Sequence, residues 1–122
     1  RGWQQDDTQA ALLGLARTAQ ELIAQRFAQK DPGSRFPAFW GPNFDWVPDQ
    51  DHGTNGLMAL QTMLMQTDGR RILLLPAWPK EWDAEFRLCA PFQTTVEGRV
   101  RGGRVLDLRV TPEERRKDVE IR

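Results

Sequence analysis

The sequence predicts an α+β protein in which helices come first and strands last. Three observations carry this. Apolar residues recur at helical spacing from Asp7 to Lys30. A second apolar segment runs from Thr54 to Gln66. From Arg71 onward the pattern changes to short β-rich runs, ending in the alternating stretch Thr94–Val110. At 122 residues the chain is about one domain long. Lys plus Arg and Asp plus Glu are 17 each, so no basic excess points to nucleic acid or an acidic membrane surface.

The first helix presents Leu12, Leu15, Ala16, Ala19, Leu22, Ile23 and Phe27 on one face. Asp6, Asp7 and Thr8 offer capping oxygens and negative charge at its start. Asp31-Pro32-Gly33 ends it, because proline lacks the N–H and disfavours helical geometry before it. Residues 31–53 then form a long loop with four Pro, three Gly and five large aromatics. Such a loop in a compact domain is functional or disordered, and Phe36, Phe39, Trp40, Phe44 and Trp46 argue against disorder.

The second helix starts near Thr54 or Asn55 and ends near Gln66, stopped by Thr67-Asp68-Gly69. Leu57, Met58, Ala59, Leu60, Met63, Leu64 and Met65 cover nearly all its faces, which predicts burial on all sides. Ile72–Leu75 reads as a buried strand ended by Pro76, and residues 86–89 as another. In the final hairpin, a three-residue loop over 102–104 sets Val100 against Leu106, Gly98 against Leu108 and Val96 against Val110. It also pairs Arg99 with Asp107 and Glu97 with Arg109, leaving one face apolar. A two-residue Gly102-Gly103 turn scatters the apolar residues over both faces, so the longer loop is preferred. Against it, the last loop position wants glycine and holds Arg104. The tail predicts a turn at Thr111-Pro112, a solvated Arg115-Arg116-Lys117 triplet among acids, and a last strand near Val119–Ile121.

Much chemistry is excluded by what is missing. Cys89 is the single cysteine, so there is neither an intramolecular disulfide nor a cysteine-built metal site. His52 is the only histidine and Ser34 the only serine. No phosphate-binding glycine loop and no C-x-x-C occur. The residues call for no cofactor and no metal. No apolar run nears the roughly 18–20 residues of a membrane span, and no signal-peptide pattern is present. A chain beginning at Arg1 is expected to be a processed product or a piece of a longer protein.

What remains is a cluster in the long loop. Asn43, Asp45, Asp49, Asp51, His52 and Asn55 fall within 13 residues, interleaved with Trp40, Phe44 and Trp46. Indole rings stack on the apolar faces of sugars, carboxylates and amides bond their hydroxyls, and a carboxylate can act as the general base of glycoside hydrolysis. The plainer reading is that Asp51, Thr54 or Asn55 caps the second helix and the aromatics belong to the core.

The order of D-Q-D-H-G-T-N-G (49–56), the helix L-M-A-L-Q-T-M-L-M-Q (57–66), I-L-L-L-P-A-W-P-K-E-W (72–82) and a Gly-rich hairpin resembles the C-terminal region of bacterial glycoside hydrolases of family 95, the alpha-L-fucosidase type, and their six-hairpin relatives. The likeness spans residues 40–104. It implies an α+β fragment with the last helices of an (α/α)6 barrel in residues 1–69 and part of an antiparallel β-sandwich in residues 70–122. It implies an inverting glycosidase, periplasmic or secreted, whose general acid lies upstream of this chain. By the resemblance, Asp51 is the base-side carboxylate and Asp49 the second choice. Trp40, Asn43, Asp45, Trp46, His52 and Asn55 line the sugar subsite. The expected partners are a carbohydrate and the rest of the barrel, with self-association through exposed apolar surface, and neither nucleic acid nor a membrane. His52-Gly53-Thr54-Asn55-Gly56 departs from the family's N-F-G, so fucose specificity is not implied. The rival reading is a non-catalytic carbohydrate-binding or structural accessory domain.

Overall fold

The computed structural model describes residues 4–28 and 50–122, with the side chains of residues 50–52 outside the description. The fold is α+β. Three helices, α1 (Asp6–Leu12), α2 (Ala16–Ala28) and α3 (Gln50–Leu64), precede β1 (Met65–Asp68), β2 (Arg71–Leu74), β3 (Ala84–Ala90), β4 (Thr94–Arg101) and β5 (Arg104–Thr111). A 3-10 helix (Glu113–Asp118) leads into β6 (Val119–Ile121).

The predicted first helix is two helices. Gly14 takes a left-handed backbone (φ +72), which costs glycine nothing, and the chain turns there. Ala10, Ala11, Ala19 and Ile23 share a buried cluster with Ala59 and Met63 of α3. The turn leaves Leu12 and Leu13 at 61% and 74% exposure, and Leu15 is exposed too, so the predicted face does not continue across it. Asp7 is not at the N-cap position, yet its Oδ1 accepts the first-turn N–H of Thr8 at 2.8 Å. Gln5 holds the cap position without a side-chain bond. The other oxygen of the buried Asp7 carboxylate accepts a 2.6 Å bond from Nε of buried Arg26, locking α1 to α2. With Leu12, Leu13, Leu15, Leu57 and Met58 open to solvent, the isolated chain is expected to bind the dye ANS in its folded state. A folded, monomeric protein that leaves ANS fluorescence unchanged contradicts this.

Helix α3 starts at Gln50, earlier than predicted, so Thr54 and Asn55 lie in its second turn, beyond the N-cap position. It is not buried all round: Ala59, Met63 and Leu64 are buried, whereas Leu57 and Met58 are exposed. Met65 belongs to β1, and the chain turns at Gly69-Arg70 inside a β1–β2 hairpin. The last carbonyls of α3 are satisfied by the returning chain: Leu75 N–H donates to Leu64 O and Ala77 N–H to Met63 O. The Leu-Leu-Leu-Pro-Ala-Trp run is therefore a clasp on α3. Trp78 extends it, donating Nε1–H to Trp82 O at 2.8 Å and meeting that indole edge-on at 5.6 Å. Trp78 packs against both the helical and the β cores.

β1 and β2 are antiparallel, and β6 adds parallel to β2. Arg71 bonds Glu120 at 2.9 Å across that parallel pair and holds the Glu120 carboxyl below its usual range. Strands β3-β4-β5 form an antiparallel meander. Ile72 and Leu74 of one sheet share a core with Val96, Val100 and Val110 of the other.

The β4–β5 hairpin corrects the expected register near its turn. Gly102 and Gly103 form a two-residue turn with both φ positive, which pairs Val100 with Val105. Two adjacent glycines suit the mirror-image turns that match strand twist, and Arg104 does not suit the left-handed position of a longer loop. A bulge between Glu97 and Arg99 then shifts the pairing by one residue, with Asp107 at φ +52. Beyond it Glu97 faces Arg109 and Val96 faces Val110, as expected. Leu106 is consequently 42% exposed instead of buried, while Val105 packs on the core. Both predicted ion pairs form, Arg99 with Asp107 at 2.8 Å and Arg109 with Glu97 at 3.3 Å.

The basic triplet is not all solvated. Arg115 is 2% exposed. It donates to Thr94 Oγ1 and Arg70 O, both at 3.0 Å, and to the Asp118 carboxylate, and sits 5.4 Å from the Phe92 ring centroid. Arg116 and Lys117 are exposed. The predicted strand at residues 119–121 is present as β6.

Candidate functional site

Of the predicted site residues, Trp40, Asn43, Asp45, Trp46 and Asp49 lie outside the described residues. Asp51 and His52 belong, by backbone, to the first turn of α3, and half-buried Asn55 to its second. Asp51 and Asn55 are four apart on a helix and so share one strip of its surface. The first turn of a helix favours a negative charge, through its free N–H groups and the macrodipole. In the same stretch, a Cβ on buried Gly56 comes to 2.7 Å from Phe27 Cζ. Close approach of α2 to α3 thus explains that glycine without any ligand.

Among the described residues the surface carries hollows formed by other side chains. One, of about 590 Å³, lies on the charged face of the antiparallel sheet, between Arg87, Glu97, Arg99, Asp107 and Arg109. A second, of about 540 Å³, separates α2 from the 78–81 segment and is walled by Arg17, Gln20, Glu21, Trp78 and Lys80. There Gln20 Nε2 donates to Glu81 at 2.9 Å, and this bond lowers the Glu81 carboxyl. The third is an apolar groove of about 380 Å³ between α3 and β3. Asn55, the one predicted site residue whose side chain is described, lines none of these hollows.

Among the described residues no group of three His, Cys, Asp or Glu is placed to hold a metal ion. No described helix is long and apolar enough to cross a membrane. Sequence reading missed the clasp on α3 and the buried partners of Arg26 and Arg115, since each joins residues far apart in the chain. Comparison with family models, with characterised proteins and with solved structures finds no match to this chain.

Proposed function

We propose that this chain is the C-terminal part of an exported, inverting glycoside hydrolase of the fucosidase-like six-hairpin type, the last barrel helices followed by part of a β-sandwich. It supplies the base-side wall of the sugar cleft and is inactive alone, because the general acid belongs to the upstream barrel. Asp51 activates the water, with Asp49 as the second candidate. Trp40, Asn43, Asp45, Trp46, His52 and Asn55 line the subsite. The observation that supports this reading is the order of parts: the D-Q-D-H-G run enters a helix, the Leu-Leu-Leu-Pro-Ala-Trp element clasps that helix, and an antiparallel hairpin follows. The second reading is a non-catalytic carbohydrate-binding or structural accessory domain. It is favoured by Trp78 and Trp82, which pack on each other and against the cores.

The test is a screen of aryl glycosides against the gene product that carries this segment, with the anomer of the released sugar read by NMR. Hydrolysis with inversion is expected, and none by residues 1–122 alone. Sugar binding without hydrolysis selects the accessory domain, and hydrolysis with retention overturns the proposed mechanism.

A further inference from the structure

We propose that the outer edge of β3 is a pairing surface for a second copy of this chain, with the two β3 strands antiparallel about a two-fold axis at Phe86. Among the described residues β3 is an end strand of its sheet, seven residues long, in unbroken register with β4. It contains no Pro, Lys or bulge, the devices that blunt a sheet edge. The other edges are less open. β5 is bulged at Asp107, and Arg116 Nη1 donates to its Leu108 carbonyl at 2.8 Å. β1 and β6 have only four and three residues.

The charges on β3 choose the register. Residues directly opposite in an antiparallel pair share a face. A two-fold axis at Glu85 or Arg87 therefore sets like charges against each other, and an axis between residues sets charged side chains against apolar ones. An axis at Phe86 sets Glu85 opposite Arg87 twice and the two Phe86 rings opposite each other. Exposed Glu85 and Arg87 then extend rows already present in each sheet. Arg109 pairs with Glu97 at 3.3 Å, and Glu97 with Arg87 at 3.5 Å. In the second copy Glu85 lies opposite Arg99, which holds Asp107, and one of its oxygens accepts from Arg101 at 3.1 Å, leaving the other for Arg87 across the axis. Joined, the row reads Arg109, Glu97, Arg87, then Glu85, Arg99, Asp107 of the second copy, alternating in sign throughout. Its two-fold mate repeats this.

The opposite face fits as well. Ala84, Phe86 and Leu88 border the apolar groove beside Leu57 and Leu60 of α3, and Leu57 is 63% exposed. A second β3 laid along this edge covers the groove and makes the contact isologous, so it closes at two copies instead of growing into a filament.

The test uses sedimentation velocity on the chain and two charge reversals, Glu85→Arg and Arg87→Glu. Wild type is expected to be a dimer. Each reversal alone creates two like-charge pairs across the axis and should weaken dimerisation roughly tenfold or more. An equimolar mixture of the two variants should dimerise again. One copy then carries two cations on this edge and the other two anions, so opposite charges meet at both positions. Circular dichroism checks that each variant is folded. A wild-type chain that stays monomeric up to its solubility limit overturns the proposal whatever the variants do. So do single reversals that dimerise as wild type does, or folded variants that stay monomeric when mixed.

Discussion

Asp51→Asn, made in the gene product that carries this segment, is expected on the proposed general-base role to lower kcat by at least about 100-fold, the low end of the contribution of such a base. The amide cannot take a proton from the attacking water. KM should stay near its original value, since the amide keeps the shape of the carboxylate and one acceptor oxygen. On the same proposal Trp46→Ala should do the reverse and raise KM more than it lowers kcat, because an indole stacked on the sugar would bind ground state and transition state alike. Position 51 lies in the first turn of α3, where a negative charge also steadies the helix. Thermal unfolding of each variant separates that structural effect from the kinetic one. If folded Asp51→Asn keeps full activity, the aspartate serves only the helix terminus and Asp49 is tested next.

Arg115→Met is expected to destabilise the protein by about 3–5 kcal/mol, as removal of one member of a buried ion pair does. The guanidinium gathers four groups: the Arg70 carbonyl in the β1–β2 turn, the Pro91 carbonyl before β4, the Thr94 hydroxyl at the start of β4, and the Asp118 carboxylate. Asp118 is mostly buried, and losing Arg115 leaves it with Arg70 at 3.9 Å, too far for a hydrogen bond. Phe92 loses one of the two cations on its ring, Arg70 remaining at 4.7 Å. Lys117→Ala, in the same 3-10 helix but exposed, should change stability by less than about 0.5 kcal/mol. Urea unfolding of the two variants decides the matter. Equal midpoints for Arg115→Met and wild type refute the role assigned to the buried arginine.

The basic triplet illustrates why the tail was only half legible. A run of Arg115, Arg116 and Lys117 among acids has the composition of a solvated turn, and two of the three positions are that. Arg115 is buried because Thr94 and Arg70, distant in sequence, converge on it, and no local pattern encodes that convergence. The first helix shows the same limit. Its apolar spacing was real on both sides of Gly14, but whether a glycine bends a helix depends on what the bend allows to pack, here α1 and α2 together against α3. Two of the expected apolar face residues, Leu12 and Leu15, end at the exposed corner for that reason.

Local patterning was enough for the α+β class, the buried strand before Pro76, the extended 94–110 hairpin and the last strand at residues 119–121. Alternation with period two and proline's missing donor act over a few residues, so they can be read in place. The loop cluster of aspartates and tryptophans was visible as composition, and the resemblance attached a chemistry to it. The register next to the hairpin turn, the end of α3 and the outer edge of β3 depended on tertiary structure. Two adjacent glycines shifted the pairing, a bulge at Asp107 shifted it back, and long-range N–H groups of Leu75 and Ala77 closed the helix. Each of these is a competition between alternatives that differ by about one hydrogen bond or one side-chain burial, and the winner is set by groups that meet only after the chain has folded.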